Sequence, residues 1–129
     1  MPLVTIETRR GLASRVKRGL LDAVHQALVD CFRIPDRDRA QRIVEYAKDD
    51  FDIPADKGER FTIVTIVAFA GRSLEAKRAL YKSIADKFDA IGIPRLDVVI
   101  VLQENPTENW GMRGGLAACD VDLGFKIDV

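Results

Sequence analysis

The feature that most restricts the fold is that the chain repeats itself. Residues 4–20, VTIETRRGLASRVKRGL, align with residues 64–80, VTIVAFAGRSLEAKRAL, at an offset of 60. Seven of 17 positions are identical: Val4/Val64, Thr5/Thr65, Ile6/Ile66, Gly11/Gly71, Lys17/Lys77, Arg18/Arg78 and Leu20/Leu80. At an offset of 59 the correspondence continues, with IPDRD at 34–38 over IPRLD at 93–97, which sets Ile34, Pro35 and Asp38 on Ile93, Pro94 and Asp97. A fixed period of this kind means one supersecondary unit used twice.

Each unit reads strand, helix, strand. In the first, residues 3–8 alternate apolar and polar as a strand does. Gly11 then punctuates, and Val16, Leu20, Val24, Ala27, Leu28 and Cys31 recur at helical spacing until Ile34-Pro35 stops the helix. AQRIVEYA at 40–47 fits the closing strand. In the second, FTIVTIVAF at 61–69 is a strand and Ser73 an N-cap, with Glu75 in the first helical turn. Leu74, Tyr81, Ile84, Phe88 and Ile91 form the expected buried stripe, and DVVIVLQ at 97–103 closes the unit. Residues 48–60, KDDFDIPADKGER, read as a polar surface loop. The expected fold is α/β (α+β): duplicated β-α-β units over about 2–46 and 61–103 in a single domain with a C-terminal tail, forming a four-stranded mixed sheet with two helices on one face.

Strands 61–69 and 97–102 carry apolar residues at odd and even positions alike, which predicts burial of both sheet faces. Two helices cover only one face, so a homo-oligomer is expected to cover the other. A length of 129 residues suits one domain with its own core. Lys plus Arg and Asp plus Glu balance at 20 each, with no basic run, which argues against nucleic acid as a partner. Apolar runs such as DVVIVL are strand-length and no leader pattern opens the chain, so no membrane association and a cytoplasmic location are expected. Two distant cysteines, Cys31 and Cys119, and one histidine, His25, support neither a disulfide framework nor a metal site. His25 reads as a partly buried helix residue with no nucleophile or acid at a suggestive spacing.

Two places carry possible chemistry. In AGRSLEAK, Arg72 follows a glycine turn at the carboxyl end of a strand and precedes a helix, where anions are favoured, so its planar fork is a candidate clamp for a carboxylate. Most turn arginines are merely solvated, and that reading competes. The chain opens MPLVTIE; removal of Met1, normal before a small residue, would leave the secondary amine of Pro2 at the terminus. A neutral amine is a general base and a protonated one a general acid. Read alone, a proline that begins a strand is unremarkable, because a missing N–H costs nothing there.

Taken together, PLVTIE at the start, IPDRDRAQ at 34–41, GRSLEAK at 71–77 and DVVIVLQENPTENWGMRGG at 97–115 resemble the tautomerase superfamily, and within it the malonate semialdehyde decarboxylase group. The resemblance spans nearly the whole chain. It implies a βαβ-duplicated enzyme needing no cofactor, assembled as a trimer, with a small carboxylate as substrate. It assigns Pro2 as the catalytic acid or base, Asp38 as the carboxylate paired with it, and Arg72 as the substrate clamp. Trp110 and Met112 fall on the family's apolar pocket wall, and Arg113 is placed to reach a substrate or a neighbouring subunit. The decarboxylase has two arginines at the second turn, whereas this chain keeps only Arg72 and has Ala70 at the earlier position. At the first turn Arg10 precedes Gly11, with leucine after it.

The expected function is therefore a keto–enol tautomerase of a small 2-oxo acid such as phenylpyruvate, with Pro2 as general base. A decarboxylase or hydratase of a 3-oxo or acetylenic acid would use the same site with Pro2 protonated. A non-catalytic ferredoxin-like ligand-binding module would share the same order of elements and differ in strand pairing.

Overall fold

The computed structural model describes residues 1–129. The first unit consists of β1 (Leu3–Arg9), α1 (Ser14–Phe32) and β2 (Ala40–Tyr46); the second of β3 (Thr62–Phe69), α2 (Leu74–Ala90) and β4 (Val98–Asn105). A short hairpin follows, β5 (Gly111–Met112) with β6 (Leu116–Ala117). The four long strands make one sheet in the order β2-β1-β3-β4. Within each unit the strands run parallel, and β1 meets β3 antiparallel at the centre. In a ferredoxin-like split βαβ another strand lies between the two that a helix connects. Here β1 bonds directly to β2 and β3 to β4, which excludes that module.

The register carries the sequence repeat into three dimensions. Thr5 pairs with Thr65, the residue it also matches in the repeat, so a pseudo-two-fold axis passes between them. Leu3 pairs with Ala40 as Ile63 pairs with Val99, which reproduces the change of offset from 60 to 59 between helix and closing strand. Side-chain pairs follow the same relation: Lys17–Glu45 (3.0 Å) in the first unit matches Lys77–Glu104 (2.5 Å) in the second. So do two 3-10 turns, Lys48–Asp50 and Thr107–Asn109, each followed by an aromatic residue, Phe51 or Trp110. The loop after β2 is thus more ordered than its polarity suggests, with Phe51 stacked on Tyr46 at 5.3 Å.

Alternation fixes which strand face is dry. Val4 and Ile6 on β1 and Val64, Ile66 and Ala68 on β3 point at the helices, where Leu20, Val24, Leu28 and Phe32 of α1 and Leu80, Ile84 and Phe88 of α2 meet them at helical spacing. Leu74, expected in that stripe, is instead 58% exposed. It is the first residue of α2 and lies outside the core, while Leu80, one turn before Ile84, takes the core position. His25 is fully buried rather than partly so, and it has a carboxylate partner, Asp36, at 3.1 Å.

The other sheet face is not covered by the chain itself. Leu3, Thr5, Ile63 and Val67 are half-buried there, and Val99 and Val101 on the edge strand are exposed. No helix is long and apolar enough to cross a membrane.

Because Ile66 is wholly buried between the sheet and both helices, Ile66→Ala should destabilise the chain by about 2–5 kcal/mol in urea unfolding. Leu96→Ala, at a residue 77% exposed, should stay within about 0.5 kcal/mol of the parent. Equal effects would contradict the core assignment.

Candidate active site

Strand register brings the amino terminus to the candidate residues. β1 and β2 are parallel with Leu3 opposite Ala40, so the residues preceding each lie side by side. The Met1 amino nitrogen accordingly stands 4.0 Å from Asp38 Oδ2. Asp38 is presented by a turn that its own N–H closes onto the Pro35 carbonyl (2.9 Å), and Asp97 repeats this with Pro94 (2.8 Å). The I-P-x-x-D spacing is therefore a structural turn in both units, and only the first copy faces a chain terminus. Across the central pairing Leu3 lies opposite Val67, which directs the buried Pro2 toward the end of β3 and the turn that follows.

Arg72 sits on that turn. Gly71, at φ +137°, allows the bend, and Ser73 caps α2 by accepting from the Ala76 N–H. The guanidinium is buried, an arrangement costing several kcal/mol unless compensated. Its compensation is partial. Nη1 donates to the Phe69 carbonyl (3.0 Å) and the Phe32 ring lies 4.8 Å from the guanidinium carbon, but Nε is buried without a partner. The nearest carboxylate influence, Glu104, is committed to Lys77. Burial pulls the Arg72 pKa below its ordinary value and Glu104 works against that. The first unit makes the same turn with Leu12, so the fold does not require a cation here.

A cleft of about 330 Å³ opens beside Asp38, lined by Met1, Arg37, Asp38, Met112, Arg113, Leu123 and Phe125. Met112 and Arg113 are thus at the cleft, with Arg113 at φ +51° and its Nη2 donating to the Asp122 carbonyl (2.8 Å). Trp110 does not line it. The indole packs edge-on against Phe69 at 4.8 Å, behind the residue whose carbonyl holds Arg72, and its Nε1 is buried and unpartnered. Leu123 and Phe125 escaped sequence reasoning because a non-periodic tail gives no signal of what it will cover, and Arg37, in the turn before β2, because nothing local distinguishes it from a solvated turn arginine. The tail is pinned over the turn, with the Ser73 N–H donating to the Val129 carbonyl (2.8 Å) and the Ile127 backbone against Gly71.

The electrostatics at the amino group follow from these neighbours. Burial lowers the pKa of the Met1 amine most, Asp38 raises it, and Arg72 lowers it further; the net direction is down. An amine in this corner is biased toward its neutral form. The arrangement sets the Met1 amine, a carboxylate and a buried guanidinium at one end of the sheet, beside a cleft that Met1 and Asp38 line and that Pro2 and Arg72 do not.

Comparison with known proteins places the chain. A family model described as tautomerase enzyme matches residues 38–113. A probable tautomerase of Bacillus subtilis (strain 168), YusQ, is 29% identical over 123 residues, covering 91% of this chain and 97% of the relative. Crystal structures of malonate semialdehyde decarboxylase superpose with a TM-score of 0.82 at 26% identity, covering 93% of this chain and 99% of that one. A fused 4-OT solved as a symmetric trimer superposes at 0.81 with 28% identity, covering 91% and 96%. The duplicated βαβ frame and the family match over the segment from Asp38 to Arg113 agree, and the chain belongs to the tautomerase family.

Proposed function

We propose that the chain is a cofactor-independent keto–enol tautomerase of small 2-oxo acids, with Pro2 as general base once Met1 is removed. The observation that carries this reading is the environment of the Met1 amine, which marks the corner Pro2 would occupy: it lies 4.0 Å from Asp38, and burial, with Arg72 adding to it and Asp38 opposing, holds it below its ordinary value. Removing Met1 moves the terminus one residue inward, to Pro2, which precedes the strand paired with Ala40 and stays at the same end of the sheet as Asp38 and Arg72.

Arg72 binds the substrate carboxylate through its unpartnered Nε and the adjacent Nη2, Nη1 being held by the Phe69 carbonyl. The hydrocarbon part of the substrate lies against Met112, Leu123 and Phe125, with Arg113 and Arg37 at the rim. In ketonisation, neutral Pro2 takes the enol hydroxyl proton and returns it to the adjacent carbon. In enolisation it takes the carbon-bound proton and delivers it to oxygen. Asp38 stabilises the protonated amine between the two transfers. Trp110 acts indirectly, by packing Phe69 and keeping water from behind Arg72. The protonated-proline alternative, a decarboxylase or hydratase, needs an amine pKa above neutrality, and the burial here works against it. Ala70, in place of a second turn arginine, removes the second cation such chemistry would draw on.

The uncovered sheet face supports assembly. Val99, Val101, Leu3, Ile63 and Val67 form an apolar surface at the sheet's centre and edge, matching a chain that associates with copies of itself, as the trimeric relative does. Sedimentation equilibrium should give a trimer, and a monomer at working concentration would contradict this part of the proposal.

The catalytic assignment is tested by following loss of phenylpyruvate enol absorbance. Pro2→Ala, with the initiator methionine removed as in the parent, should lower kcat/KM at least about 100-fold, the scale of a lost general base. Parental activity in that variant would overturn the proposal.

A further inference from the structure

The pseudo-two-fold axis maps the Pro2 corner onto the opposite end of β1, where the chemistry above has no use for a cleft that is nonetheless present. It has a volume of about 160 Å³ and is lined by Thr8, Arg9, Arg10, Leu12, Glu59 and Arg60 around Gly11. The amine and arginine of the first corner have no counterparts here. The counterpart of Pro2 is Thr62, an internal residue whose hydroxyl donates to the Arg60 carbonyl (2.9 Å), and the counterpart of Arg72 is Leu12.

Cations stand in their place. Arg9 is engaged by Glu59 (3.1 Å) and by the Phe51 carbonyl (2.8 Å). Arg60 spends one donor on the neutral Gly92 carbonyl (3.0 Å), and the Arg10 side chain makes no hydrogen bond or ion pair. Three guanidinium groups thus face a single carboxylate, Glu59. The amino end of α1 adds to this positive field. Its N-cap is Ala13 with no side-chain cap, and its first turn holds no acid but does hold Arg15, whereas α2 has both Ser73 as cap and Glu75. Independently, Thr8 is 2% exposed, lines the cleft, and keeps a buried hydroxyl oxygen with no partner. A buried hydroxyl is normally paired. Apart from Leu12 no apolar side chain lines the cleft, so it suits a ligand with little hydrocarbon.

We propose that this cleft is a second, non-catalytic binding site for a small doubly charged oxyanion, a phosphate or a short dicarboxylate, held by Arg10, Arg60, the Thr8 hydroxyl and the amino end of α1. The two surplus cations match two negative charges, and the unpaired hydroxyl supplies a neutral donor. The Pro2 cleft, with its Met112, Leu123 and Phe125 wall, selects instead for a carboxylate bearing an apolar group.

The test uses the full chain with Met1 removed, titrated calorimetrically with inorganic phosphate and, in a separate arm, succinate, with chloride at equal ionic strength as control. One anion should bind per chain, and the tighter arm tells a tetrahedral oxyanion from a pair of carboxylates. Arg10→Gln, at an exposed residue, should weaken binding about tenfold, the loss of one charge-assisted contact. Thr8→Val should weaken it too, while raising the Tm of the anion-free protein by removing a buried unpaired hydroxyl. Arg72→Met should leave it unchanged. Binding no stronger than that of chloride in both arms, parental affinity in Arg10→Gln, or loss of binding in Arg72→Met would each overturn the proposal.

Discussion

The antiparallel pairing of β1 with β3 about Thr5 and Thr65 is the constraint on which the rest of the structure depends. It joins two units that could not bury their apolar faces separately, and it fixes where the amino terminus goes. A slip of one residue would turn Val4 and Ile6 away from the helices and present Leu3 and Thr5 in their place. The same slip would carry Pro2 away from the turn that bears Arg72. Core burial and site geometry are therefore set by one register, and the apolar side chains, at roughly 1.5–3 kcal/mol each, enforce it far more strongly than any contact within the site.

The two halves share a frame and differ in what they hang on it. The I-P-x-x-D turns, the glycine turns, the 3-10 turns with their aromatics and the Lys–Glu pairs are present twice. The partly exposed ion pairs contribute on the order of 0–1 kcal/mol, so they locate a helix on its strand rather than hold the fold together. Divergence is concentrated at the ends of the central strands. Pro2 and Arg72 occupy one end; Thr62 and Leu12 occupy the other, with Arg9 and Arg10 added. A frame that tolerates leucine where Arg72 stands does not explain a buried, incompletely paired guanidinium; on the proposed reading a substrate carboxylate would complete its pairing.

Much of this was legible in the sequence, because repeats, alternation and helical spacing are local signals. The strands were located to within a residue or two, the end of α1 before Ile34-Pro35 was visible, and the Ser73 cap was read correctly. Leu74 misleads because an apolar residue in a first turn fits the helical period yet can stay exposed outside the core. Pairings made in the tertiary structure left no local trace: Asp36 on His25, Phe69 between Trp110 and Arg72, and Leu123 and Phe125 folded back over the cleft. The resemblance places Trp110 on the pocket wall, whereas its indole packs against Phe69, whose carbonyl accepts from Arg72, and does not line the cleft.

The central claim is that a neutral terminal amine does the proton transfer, and the pH dependence of kcat/KM for phenylpyruvate enol tests it most directly. Burial and Arg72 lower the pKa of the Met1 amine and Asp38 raises it, with a net fall, and the Pro2 amine that would replace it faces the same three influences. The active form is deprotonated, so kcat/KM should rise with pH through a single ionisation, lying below the ordinary value of a prolyl amine, and then level off. Asp38→Asn removes the charge that raises the pKa, so the rising limb should move to lower pH. A rate that is highest in acid and falls as the amine loses its proton would contradict the account.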